Sequence, residues 1–123
     1  MFNNSISGNC NSIQWQNGPE KQTFATVLER KGGYLNFYAG KYLNAYGNPK
    51  VGGVEHVPSG WHFWAGLVGN SKYYDYRLSI NGKAEKHGSE YEKDYLTDVI
   101  GRKAESFLNM YIRVVKHKNS QIQ

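Results

Sequence analysis

The sequence has a single cysteine, Cys10, among its 123 residues. One thiol cannot form a disulfide within the chain, and it cannot supply a cysteine-rich zinc site. A lone cysteine fits a protein of a reducing compartment, and it fits equally well a piece of a larger oxidised protein. The sequence therefore excludes internal disulfide bonds and leaves the redox compartment open.

Long hydrophobic runs are also missing, because no apolar stretch approaches the length of a membrane span. The first ten residues, MFNNSISGNC, lack the basic start and the apolar segment of a signal peptide. Proline is scarce, with three residues against fourteen glycines, which indicates many turns. We therefore expect one domain at most, with no membrane contact and no signal peptide of its own.

Negative charge is in deficit, since the formal net charge is +5 and the sequence pI is about 9.3. Such a balance favours polyanionic partners, although a solvated surface is a sufficient explanation for a charge of this size. One functional hypothesis is therefore a non-enzymatic module that binds heparin or another glycosaminoglycan, with nucleic acid the less favoured polyanion. Its candidate cations are Lys41, Lys72, Arg77, Lys83 and Lys86.

Local patterns in the first half predict a helix followed by a strand. The stretch TFATVLERKGG predicts a helix that Thr23 caps and that Gly32-Gly33 terminates. YLNFYA then predicts a strand that is buried on both faces, as in a parallel sheet. Residues 1–22 are polar and rich in turn-forming residues, so we expect a loop there. A helix that leads into such a strand indicates α/β architecture.

The second half predicts a hairpin and a long helix. WHFWAGL is a candidate short strand, and YYDYRLSINGKAEKHG predicts a hairpin with a type I′ turn at Asn81-Gly82. Residues 89–111 predict one helix, because apolar residues recur there at helical period. Ser89 and Glu92 fit a capping box, with Asp94 as a later alternative cap.

A cation follows the first predicted strand directly. Ala39-Gly40 permits a close approach of backbone or ligand, and Lys41 lies at the carboxyl end of the strand, where open α/β sheets bind ligands. An ammonium group there would hold an anionic group, whereas a solvated surface lysine is the commoner alternative. Asp94 and Asp98 are four residues apart and form either a cation site or a solvated face. His56 and His62 do not have standard metal-ligand spacing, so they are expected to be loop histidines.

Several longer blocks carry a family resemblance. In order along the chain they are TFATVLERKGGYLNFYAGKYLNAYG, GGVEHVPSGW, NSKYYDYRLSINGKAEKHG and YEKDYLTDV. Together they resemble the sulfatase family over roughly residues 3–109. The resemblance implies an incomplete piece of the alkaline-phosphatase-like α/β fold, here with a β-hairpin and a long C-terminal helix. It divides the chain into a partial catalytic domain at 1–109 and a divergent basic tail at 110–123.

The resemblance also implies a chemistry. Sulfatases hydrolyse sulfate esters with a formylglycine made from cysteine, beside a calcium ion, and the lysine of their Gly-Lys pair contacts the sulfate. That lysine matches Lys41. Most members continue with Trp-His, where this sequence has Tyr42-Leu43-Asn44, so Asn44 is the candidate to replace the histidine. Trp61 and His87 are further candidates for substrate binding.

The quoted blocks favour one branch of the family. GGVEHVPSGW favours the lysosomal branch that acts on 6-sulfated N-acetylglucosamine of heparan or keratan sulfate over the extracellular branch that acts on heparan sulfate. A lysosomal glycoprotein is then expected, with Asn3 as the candidate glycosylation site. The partner is a sulfated glycosaminoglycan, and the oligomeric state stays open.

Parts of the family pattern do not occur in the 123 residues. The nucleophile lies in a Cys-x-Pro-Ser-Arg motif, whereas Cys10 is followed by Asn11-Ser12. The family's calcium-binding aspartates are missing too, so no metal ligand is assigned. MYIRVV stands where the family has a core strand, but pairing it with YLNFYA would place Arg113 in a buried face at an unfavourable cost. We therefore expect a fragment of a sulfatase that is inactive on its own, and marginally stable.

Overall fold

The computed structural model of the chain describes residues 11–120, with side chains as far as His117. Its helices are α1 (Ile13–Asn17), α2 (Phe24–Gly32), α3 (Tyr91–Asp94) and α4 (Leu96–Ser120), and its strands are β1 (Phe37–Lys41), β2 (Phe63–Leu67), β3 (Arg77–Ile80) and β4 (Lys83–Lys86). Short 3-10 turns lie at Pro19–Gln22, Pro49–Val51 and Gly53–Glu55. The loop expected over residues 1–22 is therefore wrong from Ile13 onward, and its first ten residues lie outside the described part.

The four strands form one sheet in the order β1-β2-β3-β4. β1 and β2 are parallel, while β3 pairs antiparallel with both β2 and β4. The hairpin turn is confirmed, since Asn81 and Gly82 have φ angles of 48° and 87°, both positive as a type I′ turn requires. The α/β expectation is thus confirmed as a mixed sheet with a long C-terminal helix.

The first strand begins later than the sequence predicts. YLNFYA runs from Tyr34 to Ala39, but β1 spans Phe37–Lys41, and Tyr34 is 61% exposed. The reason is the end of α2: Gly33 adopts the left-handed conformation at φ 62°, and the Tyr34 N–H still donates to the Leu28 carbonyl. The chain therefore uses Tyr34–Asn36 to leave the helix. The strand starts three residues later than the sequence predicts, and it includes Lys41 as its last residue.

Asn36 joins α2, β1 and the loop before β2. Its buried amide donates to the carbonyls of Ala25 and Gly60 at 2.8 Å each. Its backbone N–H donates to Nδ1 of His62 at 3.1 Å. Thr23, in contrast, makes no side-chain capping bond at the start of α2, and its hydroxyl is buried without a partner among the described residues.

One face of the sheet packs against α4. The buried cluster on this face consists of Leu67, Tyr76, Leu78, Leu96 and Val99. Further along the helix, the Phe107 ring lies 5.0 Å from the Phe37 ring at the amino end of β1. Because the start of α4 reaches the carboxyl end of β2 and its later part reaches the amino end of β1, α4 runs antiparallel to both strands.

The opposite face is covered by rings that we call the aromatic layer: Tyr38, Tyr42, Tyr46, Trp61 and Trp64. Tyr38 and Trp64 stack at 4.6 Å, and Tyr42 and Tyr46 meet Trp64 edge-on. Trp64 is fully buried, and its indole N–H donates to the Tyr46 hydroxyl at 2.7 Å. These rings, rather than a second long helix, close this side of the sheet.

The single helix expected over residues 89–111 is broken in the structure. α3 ends at Asp94, and Tyr95, with ψ at 115°, interrupts the helical path before α4 begins. Glu90 occupies the N-cap without a side-chain bond, so the capping box of Ser89 and Glu92 is wrong. The Tyr95 ring stacks on the Tyr91 ring. Because the break lies between them, Asp94 belongs to α3 and Asp98 to α4, so the two carboxylates do not share one helix face.

The basic tail is helical as far as Ser120, so MYIRVV forms no strand and does not pair with β1. Helical hydrogen bonds satisfy the backbone locally, so the segment needs no strand partner. In this helix the apolar side chains of the segment remain exposed to solvent. They are Leu108, Met110, Tyr111, Ile112, Val114 and Val115. Over residues 11–120, no helix is both long and apolar enough to cross a membrane.

Candidate functional site

Lys41 is the last residue of β1 and is exposed at the carboxyl end of the strand. Gly40 precedes it with φ at 123°, a conformation that glycine adopts without strain. A Cβ at Gly40 would lie 3.6 Å from Ile100 on α4, so positive φ rather than lack of space calls for glycine. The hydroxyl of Tyr38 donates to the Lys41 carbonyl and secures the backbone at this point.

Asn44 contacts the Lys41 ammonium directly. The Lys41 Nζ donates to the Asn44 Oδ1 at 2.6 Å, and both side chains are exposed. An ammonium group has three N–H donors, so this bond orients the group and leaves two donors for a ligand. The structure therefore brings together two of the residues that the sequence predicts to act together.

Because α4 runs antiparallel to β1, its amino end lies at the same edge of the sheet as Lys41, and Asp98 lies in its first turn. This edge is the place where an open α/β sheet binds its ligand.

Trp61 does not lie at this edge. It precedes β2, so it is at the amino end of the sheet, where its ring meets the rings of Phe24 and Tyr38 edge-on at 5.7 and 5.1 Å. Trp61 therefore belongs to the aromatic layer. The structure gives it a packing role and does not bring it to Lys41.

His87 lies at the carboxyl edge but far from Lys41. The register aligns Lys41 with Leu67, Leu78 and Glu85 across the four strands. Three strand spacings separate the first and last of these residues, or roughly 14 Å. Since His87 is two residues beyond Glu85, it shares the sheet edge with Lys41 and does not share its immediate site.

The His87 ring is held by three neighbours. It stacks on Tyr76 at 4.8 Å, its Nε2 lies 2.8 Å from Glu85, and its Nδ1 lies 3.3 Å from Asp94. Burial opposes ionisation of Glu85, but hydrogen bonds from Lys103 and His87 outweigh it and lower the pKa of that carboxyl. Both ring nitrogens thus face carboxylates, which makes the ring a structural connection between β4 and α3.

A buried carboxylate elsewhere is a feature that the sequence did not reveal. Glu20 is 2% exposed, and its Oε2 lies 2.7 Å from His56 Nε2. Its Oε1 accepts from the Trp15 indole N–H at 3.2 Å and from the Tyr42 hydroxyl at 3.1 Å. All of its partners are distant in sequence or lie in the expected loop, so no local pattern could have indicated it. The set ties residues 13–22 to the aromatic layer.

Between residues 11 and 117, no group of three or more His, Cys, Asp or Glu side chains has the arrangement needed to hold a metal ion. The residues of this segment therefore do not fit the family's calcium ion, and no chemical step is assigned to calcium in this chain.

Comparison with known proteins matches most of the chain. It is 55% identical over 109 residues to N-acetylglucosamine-6-sulfatase of Homo sapiens, which covers 89% of the chain and 20% of that protein. The chain resembles an N-acetylglucosamine-6-sulfatase. It is 39% identical over 106 residues to a putative extracellular sulfatase Sulf-1 homologue of Caenorhabditis elegans, covering 86% of the chain and 14% of that protein.

A third relative, an extracellular sulfatase SULF-1 homologue of Drosophila melanogaster, is 44% identical over 100 residues, which covers 81% of the chain and 8% of that protein. The identity to the N-acetylglucosamine-6-sulfatase is higher than the identity to either extracellular sulfatase homologue, as the quoted sequence blocks predict. The chain spans about a fifth of the length of the N-acetylglucosamine-6-sulfatases it matches. No family model and no solved structure matches the chain.

Proposed function

We propose that this chain is part of a sulfuric ester hydrolase that acts on 6-sulfated N-acetylglucosamine in heparan or keratan sulfate. The observation that carries the proposal is Lys41: within a segment 55% identical to an N-acetylglucosamine-6-sulfatase, it stands at the carboxyl end of a parallel strand. A lysosomal glycoprotein that meets sulfated glycosaminoglycan is the corresponding biological setting.

In this proposal Lys41 binds the sulfate group and Asn44 positions the lysine. Two ammonium N–H donors point away from Asn44 and are available to sulfate oxygens. A fixed cation stabilises negative charge that builds up as the ester bond breaks, without the reorganisation that water would need. Leu43 stands where most family members have a histidine, so in this proposal the role of that histidine passes to Asn44.

The nucleophile is assigned outside these residues. The 123 residues contain no Cys-x-Pro-Ser-Arg motif, so the chain contributes sulfate binding and not the attacking group. The purified chain is therefore expected to show no turnover of a chromogenic aryl sulfate with calcium present. Turnover that is lost in Lys41→Ala would refute this division of roles.

A segment exchange tests the proposal directly. The 109 matched residues of this chain replace their counterpart in the human enzyme, and hydrolysis of N-acetylglucosamine-6-sulfate is measured. We expect the chimera to be active and Lys41→Ala within it to lower kcat about a hundredfold, because one charged donor aimed at developing charge is worth on the order of 3 kcal/mol.

Lys31→Ala in the same chimera is the matched control, since it removes an exposed lysine at the end of α2. We expect this variant to keep the kcat of the chimera. Near-normal turnover in Lys41→Ala, or equal losses in both variants, would contradict the role assigned to Lys41.

A further inference from the structure

A cleft of about 470 Å³ opens at the carboxyl edge of the sheet, two to three strands away from Lys41. Its floor is the turn Val68–Gly69, and its walls come from the segment before β3 and from the end of β4. Three exposed cations line it: Lys72, Arg77 and Lys86. They come from separate parts of the chain and converge only because β3 and β4 pair.

These three cations are not neutralised by ion pairs. Among residues 11–117, no carboxylate lies within 4.0 Å of the charged groups of Lys72, Arg77 or Lys86. Asp75 is the one acidic residue in the lining of this cleft. With three cations against this one carboxylate, the lining of the cleft has a net positive charge.

His87 also lines the cleft, but both of its ring nitrogens already have partners. Its two ring nitrogens face Glu85 and Asp94, and Glu85 accepts in addition from Lys103 at 2.8 Å. The binding capacity of the cleft for an anion thus rests on the lysines and the arginine. Arg77 presents a planar fork of N–H donors, a geometry that suits sulfate and carboxylate oxygens.

A second depression extends from the cleft toward the segment that follows Asn44. It shares Val68, Gly69 and Arg77 with the cleft and extends over Ala45 to Pro49. Ala45 directly follows Asn44, whose side chain binds the Lys41 ammonium. Arg77 is two strands from Lys41, or about 10 Å by strand spacing. The two depressions therefore extend the cationic cleft as far as the residue that follows Asn44, while Lys41 and Asn44 themselves line neither of them.

We infer that this cleft binds a second anionic group of the sulfated saccharide chain whose sulfate ester lies at Lys41, with Lys72, Arg77 and Lys86 as the contacting residues. The inference rests on the proposed function for the placement of the ester. It adds a subsite that distinguishes an oligosaccharide from a single sulfated sugar, because Arg77 lies two strands away from Lys41 along the edge of the sheet.

The lining favours a saccharide over a nucleic acid. Binding of single strands relies on aromatic faces on which bases stack. The aromatic ring in this cleft, Tyr76, is 4% exposed and already stacks on His87, while its hydroxyl donates to the Asp94 carbonyl at 2.9 Å. No open aromatic face therefore remains in the cleft as the described residues form it.

Equilibrium binding of a heparin-derived octasaccharide to the full 123-residue chain tests the subsite. We expect Arg77→Ala and Lys86→Ala each to weaken binding about tenfold, the loss that corresponds to one charge-assisted hydrogen bond of roughly 1.4 kcal/mol. Lys83→Ala is the matched control, because this variant removes the same charge from the same hairpin. Lys83 lies at the opposite end of β4 from Lys86. The control variant should leave the affinity within about twofold.

Three outcomes would overturn the inference: no binding of the octasaccharide, equal losses in Lys83→Ala and Lys86→Ala, or an oligonucleotide that binds as tightly with the same variant dependence. Lys86 is exposed, so Lys86→Ala is not expected to affect folding, and circular dichroism of each variant verifies this. Binding is measured without turnover, so the result stands even if the chimera proves inactive.

The chimera provides a second, independent readout. Lys86→Ala should raise KM for a sulfated oligosaccharide about tenfold and leave both KM and kcat for N-acetylglucosamine-6-sulfate unchanged. An equal change for both substrates would assign Lys86 to general stability and would contradict a separate subsite, whereas an inactive chimera would contradict the proposed function alone.

Discussion

At the scale of single residues, the aromatic layer is organised by buried hydrogen bonds as much as by ring contacts. The Tyr46 hydroxyl accepts from the Trp64 indole and donates to the His56 carbonyl at 2.6 Å. Burial raises the pKa of Tyr46, so the hydroxyl remains a donor throughout the neutral range. A single oxygen atom therefore satisfies two buried groups from separate segments.

Tyr46→Phe removes that oxygen and keeps the ring. The Trp64 N–H and the His56 carbonyl then lose their partner, and an unsatisfied buried polar group costs about 1–3 kcal/mol. We expect the free energy of unfolding to fall by about this amount in urea titrations. Tyr73→Phe is the control, since Tyr73 is 64% exposed and stacks on Tyr95 through its ring alone among the described contacts. Equal stability of the two variants would refute the argument.

At the scale of elements, the junction between α3 and α4 depends on Asp94. Its Oδ2 accepts from the Glu90 N–H at 3.0 Å, which satisfies a donor at the start of α3. Burial opposes ionisation, but bonds from the Glu90 and Gly88 backbone and from His87 outweigh it and lower the pKa of Asp94 from its ordinary 3.8. The carboxylate thus stabilises the folded chain in its ionised form.

This shift predicts a pH dependence with a definite sign. Because the folded-state pKa is lowered, the stabilisation is complete above the ordinary pKa and is lost as the pH falls through the lower folded value. Asp94→Asn should therefore lower Tm at pH 6–7, and the difference from the unmodified chain should shrink below about pH 4. Glu92→Gln, an exposed change in the same helix, should show no such trend; a constant difference for Asp94→Asn at all pH values would contradict the assignment.

At the scale of the whole molecule, two surfaces stand out as unpaired. In the described sheet, β1 has a neighbouring strand on one side only, which leaves backbone donors and acceptors at its outer edge. Beyond the body of the fold, Leu108, Tyr111, Ile112 and Val115 form an exposed apolar stripe on α4 at helical spacing. Both surfaces favour association of the isolated chain.

We therefore expect the isolated 123-residue chain to be marginally stable and to associate as its concentration rises. Leu108→Lys places a charge in the stripe and should shift light scattering toward the monomer. Glu105→Gln changes the net charge by the same amount on the same helix and leaves the stripe intact, so it should not. A monodisperse monomer with a sharp, reversible thermal transition would show a self-sufficient domain instead.

The elements that could be predicted from sequence are those with short-range causes. Gly33 ends α2 because it adopts a left-handed conformation, and Asn81-Gly82 forms the hairpin because both residues accept positive φ. The parallel character of β1 follows from its double-sided apolar composition. The placement of Lys41 behind small residues belongs to this group as well, since it needs no information from other segments.

Only the tertiary structure decided the features that depend on distant partners. The burial of Glu20 depends on His56, 36 positions later in the sequence, and Tyr95, where the helix breaks, stacks on the rings of Tyr73 and Tyr91. Likewise, Trp61 and His87 match the family by sequence, but the sheet holds one at its amino end and the other roughly 14 Å from Lys41. The cationic cleft also exists only once β3 and β4 pair. Periodicity and turn chemistry act over a few residues, whereas strand register and burial are set by the whole chain, because both depend on which surfaces are removed from water together.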